Sequence, residues 1–565
     1  MALIPHWIQH YPRRHLRDDV IAGLVLTVLV IPQSLAYALL AGLPPQAGLY
    51  VSILPAIAYA LLGSSMVQAV GPVAITAIMT YSVLSPIAEP GSAHYLQLAT
   101  WLSLSSGLVI VACGLARLGF LSQLLSRPVV SGFVAGSAVL IMVSQTKFIL
   151  GVDVHGNSTG QTLRLLVQQI PNTNPVTFIL GVASIAALTA TRLGLKRWPV
   201  WMRLSPLLVL LVTTVAVAAL ELDAKHAVTV VGSIRLDGMA QVLNLPDMES
   251  LRALAGPTLL ISFIGMVQCI TMAQALAVKR RERIDANREL IGLGTANIAA
   301  GFSGGMPVGG GLSRSAINVA AGAQTPLAGV VSGLSMVVLV LMGTEWLAKL
   351  PLAVLAASIV VAAWGMIDMH ALRQAWSYDR ADAIAWLGTA LGVLLLGLDS
   401  GIALGIGLSL ATLLWRSSAP HIAVLGRLPG TSTFRNVERY ETETLQHAVF
   451  LRIDESLFFG NLQAVEARLG QELSNSEQIE DVVLVMTAVN RIDTSAMEVL
   501  ADINRDLQER GIRLHFAEVK GPVQDRLMHT TLWTGLSGQV FHSVSEAFQS
   551  LQARGLPPTD AALAI

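Results

Sequence analysis

Residues 301–315 read GFSGGMPVGGGLSRS. Six glycines in the eleven residues 301–311 cannot hold a continuous helix through a bilayer, yet apolar runs lie on both sides, at 287–301 and 312–324. The segment carries Arg314 at a depth where an arginine is costly in lipid, so it is expected to face a protein cavity. A nucleotide-binding loop is excluded, because GxxxxGK[ST] is absent and no strand precedes the segment. The physical reading is a broken helix. Leu312, Ser313 and Arg314 open a half-helix with unbonded N–H groups and a positive dipole end, and such an end binds an anion. The plainer alternative is an arginine tied to backbone carbonyls for packing.

A second interruption lies far upstream, at Ala69-Val70-Gly71-Pro72-Val73-Ala74. Glycine followed by proline fits the first turn of a helix. The two breaks fall in the third and tenth apolar segments. With seven segments per half, the halves have opposite topology. Paired discontinuous helices in inverted repeats are the pointer to a midplane site in secondary transporters.

Composition supports a membrane setting. Of 565 residues, 53% are apolar and 13% charged, where soluble domains carry about a quarter charged residues. That excludes a disordered chain and an ordinary soluble enzyme. A span needs roughly 20 apolar residues. Clean runs occur near 20–40, 98–118, 128–150, 203–220, 255–277, 326–344 and 381–398. Tighter runs, broken by glycine or proline, occur near 46–62, 71–88, 174–191, 287–301, 312–324, 351–367 and 400–416. The expected count is fourteen. The apolar run after the basic start shows no signal-peptide cleavage pattern and reads as the first span.

Charge orients these spans. Arg13, Arg14, Arg17, the loop with Arg192, Lys196, Arg197 and Arg203, and the loop with Lys279, Arg280, Arg281, Arg283 and Arg288 fall on one side, which the positive-inside bias makes cytoplasmic. The net charge is zero over the whole chain, but residues 435–565 hold 11 basic and 19 acidic side chains, net −8. An even span count puts this acidic tail in the cytoplasm as well. Its period changes. Residues 449–460, 479–489 and 512–519 read as strands, alternating with amphipathic helices, as in a small α/β domain with a mostly parallel sheet. The expected divisions are a transmembrane transport domain over 1–420, a link over 421–443 and the tail domain over 444–565.

Other polar groups in the apolar part are few. Gln33 and Tyr37 lie four apart on one face of the first span, beside Pro32. They either line a cavity or serve a kinked helix whose glutamine bonds the carbonyl freed by proline. Gln268 lies deep in the eighth span. It cannot titrate, and interhelical hydrogen bonding is the alternative reading. Cys113 and Cys269 sit in apolar runs and make neither a disulfide framework nor a zinc site. GIALGIGLSL (401–410) reads as close helix packing and not a dinucleotide loop. No HExxH pair is present, and no nucleophile elbow of the GxSxG type lies where a strand turns into a helix; an enzyme is not expected, nor a metal or cofactor. In the tail, Asn490-Arg491-Ile492-Asp493-Thr494-Ser495 opens a helix. Asp493 or Thr494 reads as an N-cap, with a regulatory phosphorylation or ligand site as the alternative.

Together, PQSLAYALLAGLPPQAGLY, AVGPVA, GGMPVGGGLSRSAINVAAGAQTPLAG and VNRIDTSAMEVL resemble the sulfate permease family of anion transporters, whose animal members include the SLC26 proteins. The tail resembles the STAS domain. The resemblance implies a 7+7 inverted repeat in an α-helical polytopic membrane protein. It has a core domain (spans 1–4 and 8–11) and a gate domain (spans 5–7 and 12–14), plus a small cytoplasmic α/β STAS domain. It implies an anion held between the half-helices of spans 3 and 10, an elevator motion and a homodimer. On this sequence the family's site positions fall on Gln33, Tyr37, Val73, Ala74, Leu312, Ser313 and Arg314. Gln268 stands where many members have a glutamate, and Met66 where many have an arginine. Thr494 matches the residue phosphorylated in soluble STAS regulators, although the motif here departs from theirs.

The expected function is secondary transport of a small inorganic anion in the plasma (inner) membrane, with sulfate ahead of bicarbonate, chloride or a dicarboxylate. A membrane-anchored STAS regulator is the reading from another class. Expected partners are the anion, membrane lipid, a second copy of the chain and, for the tail, a STAS-binding protein or nucleotide. Nucleic acid is not expected.

Overall fold

The computed structural model describes residues 6–9, 11–123, 126–154, 159–194, 199–232, 246–342, 348–476 and 478–554. The chain forms two compact units, Met1–Leu410 and Ala411–Ile565.

Every apolar segment of the first unit carries helix. In chain order these are α1 (Leu16–Leu40), α2 (Pro45–Tyr50) with α3 (Leu54–Leu62), α4 (Ala74–Leu84), α5 (Ala93–Leu115) and α6 (Arg127–Leu150). The amphipathic α7 (Thr159–Gln169) precedes α8 (Pro175–Gly194) and α9 (Pro199–Leu220). The second half continues with α10 (Met248–Arg280), α11 (Ala286–Phe302), α12 (Leu312–Ala320) and α13 (Leu327–Leu341). It closes with α14 (Leu352–Trp364), α15 (Met369–Tyr378), α16 (Arg380–Leu396) and α17 (Leu398–Ser418). Among the described residues, seven segments are long and apolar enough to cross a membrane alone, or eight if the bent pair α7–α8 is one span. The third and tenth segments fall short for a structural reason. Helix α12 has nine residues, about 14 Å at 1.5 Å per residue.

Two packing groups are visible. In one, α5 crosses α11, α11 packs on α3 and α10, and α13 packs on α1. In the other, α6 packs on α14 and α16, and α14 on α8. The α5–α11 crossing is close because glycines meet there: a Cβ on Gly107 would lie 2.6 Å from the carbonyl oxygen of Gly294. Small residues let helix backbones approach where lipid supplies no hydrophobic drive.

Two fully buried carboxylates staple helix starts to loops. Asp19 accepts hydrogen bonds from the amides of Gln324 and Thr325, the Thr325 hydroxyl and Tyr11. Glu289 accepts from Tyr59, the Ser64 amide and hydroxyl, and the Ser65 amide. Donors on every side compensate the cost of burying each charge.

The second unit holds a six-stranded sheet, built from β3 (Ile422–Arg427), β4 (Phe434–Asn436), β5 (Ala448–Ile453), β6 (Asp481–Val485), β7 (Arg513–Ala517) and β8 (Val540–Phe541), in the order β4-β3-β5-β6-β7-β8. Strands β5 to β8 are parallel, and β3 runs antiparallel to β4 and β5. Residues 421–443, expected as a link, thus supply two strands of this sheet. The alternation in HIAVLGRL had too few residues before the glycine-proline turn to declare itself. One sheet face, with Leu451 and Leu484, packs on α18 (Leu462–Asn475) and α19 (Thr494–Glu509). The other, with Phe450 and Val483, packs on α20 (Val544–Arg554). Both faces are covered, which is why these strands read as continuous apolar runs.

Candidate functional site

The two interruptions meet. Strand β1 (Val70–Gly71) pairs antiparallel with β2 (Gly309–Gly310), with Val70 opposite Gly310 and Gly71 opposite Gly309. The ribbon is two residues long, about 7 Å. One half-helix starts at each end of it: α4 after β1, α12 after β2. The Gly311 amide adds a hydrogen bond to the Ala69 carbonyl.

Side chains from other helices fix this ribbon. Asn297 on α11 bonds Val308 twice, accepting from its amide at 2.9 Å and donating to its carbonyl at 3.1 Å. It acts as a one-residue strand on the free edge of β2. On the other side the Ser315 hydroxyl accepts from the Ala69 amide, and Asn318 donates to the Val67 carbonyl. Two glycines stand where a side chain would have to push these groups aside. A Cβ on Gly310 would lie 2.2 Å from Nε2 of Gln68, and one on Gly71 would lie 2.1 Å from Nη1 of Arg314.

Both half-helices open without a capping side chain. The N-cap residues are Val73 and Gly311, in extended conformation, and neither offers a side-chain acceptor to the first turn. The first N–H groups of α4 (Ala74 to Thr76) and of α12 (Leu312 to Arg314) therefore lack intrahelical partners. Two positive dipole ends without caps, tied together within a few residues, can hold an oxyanion.

Arg314 lies beside them, 4% exposed. It donates from Nη2 to the Ser34 hydroxyl at 2.7 Å and at 3.5 Å to Ser52. The two hydroxyls are 2.8 Å apart, and Ser52 donates on to the Gly48 carbonyl. Its Nε is buried without a hydrogen-bond partner. Among the described residues no carboxylate pairs with it. Tyr37, 8% exposed, lies within Coulombic reach of the guanidinium. Gln268 places a buried, unpartnered Oε1 about where the ribbon turns: a Cβ on Gly309 would be 3.0 Å from Val73 Cγ2 and 3.8 Å from that oxygen.

The structure therefore brings Val73, Ala74, Tyr37, Gln268 and Arg314 into one neighbourhood. Gln33 lies half-buried on α1, one turn before Tyr37. The side chains of Leu312 and Ser313 lie outside the described residues; their backbone opens α12. Sequence reasoning missed Ser34, Ser52, Asn297 and Ser315. Small polar residues commonly bond their own helix carbonyls, so nothing in the sequence separates these four from the many others. In the second unit, Asp493 is the N-cap of α19, accepting from Ala496 at 2.8 Å and from the Phe459 amide. Thr494 is exposed.

The sulfate permease family pattern matches residues 16–389 of the chain, and the STAS domain pattern matches residues 439–547. A probable sulfate transporter of Mycobacterium tuberculosis (strain CDC 1551 / Oshkosh) is similar at 34% identity over 549 residues, 97% of either chain. Among solved structures, the murine Solute Carrier 26 family member A9 anion transporter in the inward-facing state superposes with a TM-score of 0.88 at 22% identity, covering 98% of this chain and 94% of that one. The transmembrane domain of a cyanobacterium bicarbonate transporter, BicA, superposes with a TM-score of 0.62 at 21% identity, covering 72% of this chain and 99% of that one. These structural likenesses show the fold.

Proposed function

We propose, from the premise that this chain belongs to the sulfate permease family and ends in a STAS domain, that it is a secondary transporter of sulfate held between the openings of α4 and α12. The family is one of transporters and not of enzymes, and the chain is a multi-pass membrane protein. The observation that carries the reading is Arg314: a buried cation beside two uncapped half-helices, with serine hydroxyls and, among the described residues, no carboxylate paired with it. A buried charge without a counter-ion is strongly unfavourable. A bound anion supplies that counter-charge.

Magnitudes rank the contributions. A unit charge about 5 Å from the anion, at an effective dielectric near 20, contributes about 3 kcal/mol per anion charge. Each helix end contributes about 0.3–1 kcal/mol, up to about 2 when buried. Arg314 is therefore the largest single term, and the N–H groups give direction. Sulfate leads because the similar protein from M. tuberculosis is named a probable sulfate transporter. Bicarbonate, chloride or a dicarboxylate would meet the same donors. The anion would cross by an elevator movement of spans 1–4 and 8–11 against spans 5–7 and 12–14 in a homodimer. The N-terminus and the STAS domain lie in the cytoplasm and the spans in the plasma membrane.

Radiolabelled sulfate uptake into proteoliposomes tests this, with unlabelled bicarbonate, chloride and succinate as competitors. Saturable uptake that sulfate itself competes best supports the reading. Folded protein that moves none of these anions under any ion gradient overturns it. Preferential competition by another anion moves the assignment to that anion.

A further inference from the structure

Two cavities follow helix α4 through the first unit. The larger, about 830 Å³, is lined on α4 by Ile78, Tyr81 and Ser82, and on α6 by Leu140, Ser144 and Lys147. Its rim reaches the surface at the exposed Pro86, Gly91 and Asp153. The smaller, about 30 Å³, is lined by Ile75 on α4, Phe133 on α6, Ile402 on α17 and Gln268 on α10, and has room for about one water. The two approach each other on three elements at once. On α4 the first ends at Ile78 and the second begins at Ile75, about 4.5 Å along the axis. On α17 the corresponding residues are Ser400 and Ile402; on α6 they are Leu140 and Val134. The smaller cavity adjoins the half-helix opening, since Ile75 belongs to the first turn of α4.

Lys147 is the only cation among the described lining residues of the large cavity, and Asp153 at the rim the only carboxylate. Its ammonium donates to the Val154 carbonyl at 3.3 Å and lies over the Phe148 ring. Asp153 lies within electrostatic reach of it; an ammonium has three donors, and the one carbonyl bond leaves donors for a ligand in the cavity. A lysine near a helix end ordinarily snorkels to the interface. This one lies in a wall shared with Leu39 and Leu40 of α1 and with Ile78 and Tyr81 of α4, the helices of the anion site.

We propose that the large cavity is an antechamber of the anion path, closed from the half-helix openings by an apolar barrier one to two helical turns thick. Lys147 is the residue that draws the anion into it. This rests on the function proposed above. The rim loops are those expected on the side of the membrane opposite the N-terminus, so the antechamber serves entry from that side.

The test uses the full chain in sealed vesicles of known orientation. Ser82→Cys, Ile78→Cys and Ile75→Cys are each treated from that side with impermeant anionic and cationic methanethiosulfonates, with the unsubstituted chain as background. Ser82→Cys and Ile78→Cys are expected to react and Ile75→Cys to be protected. Lys147→Gln should slow the anionic reagent at Ser82→Cys about fivefold, the effect of one charge at such distances, and speed the cationic one. In transport, Lys147→Gln should raise the sulfate KM from that side by a similar factor, leave kcat within about twofold, and leave KM from the other side unchanged; Lys147→Arg should restore it. Failure of Ser82→Cys to react, or reagent rates indifferent to Lys147→Gln, overturns the proposal. If the unsubstituted chain moves no anion while the labelling pattern holds, the transport reading fails and the charged antechamber stands.

Discussion

Arg314 shows how one side chain is set by its surroundings. Its guanidinium is held by Ser34 and Ser52, which are neutral, and Nε is left without a partner. Arg314→Ala is expected to weaken sulfate binding at least about 100-fold, the equivalent of about 3 kcal/mol for one anion charge, seen as a rise in uptake KM in proteoliposomes. Arg314→Lys should not fully restore it, because an ammonium is a compact, strongly hydrated point charge where the guanidinium is delocalised and weakly hydrated. Ser34→Ala should cost less, about tenfold, since it removes one charge-assisted hydrogen bond of about 1.5 kcal/mol. An Arg314→Ala protein with unchanged KM would leave the arginine a packing role only. Arg314 was legible in the sequence because arginine among apolar residues is rare and costly. Its serine partners were not, since Ser34 and Ser52 carry no charge and could as well bond their own helices.

At the scale of elements, the ribbon joins halves that are far apart in the chain. The breaks at 69–74 and 301–311 were legible from glycine and proline, which cannot continue a span. Their pairing was not, because two residues per strand give no alternation to read. Asn297 was illegible for a related reason: it resembles any interhelical asparagine, yet it holds both the amide and the carbonyl of Val308. Asn297→Ala should destabilise the ribbon by about 1–3 kcal/mol through two unsatisfied buried groups. The expected result is a lowered midpoint in thermal unfolding together with raised sulfate KM. Gly310→Ala should impair transport more than stability, because its Cβ must displace the Gln68 amide at the ribbon. Measured transport equal to the unsubstituted chain would show that the ribbon tolerates movement there.

At the scale of the molecule, the charge asymmetry and the change of period divided membrane part from tail, and the family match covers both. The start of the tail's sheet was misread, because β3 and β4 are short and flank a turn. The tail has its own pH response. Burial pushes the Asp481 carboxyl up, but hydrogen bonds from His515 and Arg513 outweigh it, so its pKa falls below the usual carboxylate value. A depressed carboxylate contributes stability that is fully present above its unfolded pKa of about 3.9 and lost as pH falls through the folded value. Unfolding of the STAS domain, followed by calorimetry of the full chain, should therefore move to lower temperature below about pH 4. Asp481→Asn should lower it at neutral pH and flatten this dependence; an equally steep acid transition in Asp481→Asn would assign it to other carboxylates. Deleting residues 421–565, the whole of this sheet domain from before β3, should leave sulfate uptake largely intact if the tail modulates transport and does not perform it.

The claim that joins these scales is an anion between two half-helices beside Arg314. Selenate, a sulfate analogue with a usable anomalous signal, locates it directly in crystals of the full chain. The account predicts one anomalous peak at hydrogen-bond distance from the first-turn amides of α4 and α12, absent in Arg314→Ala. A peak elsewhere in the membrane unit, or one at this place that persists without the arginine, would contradict it.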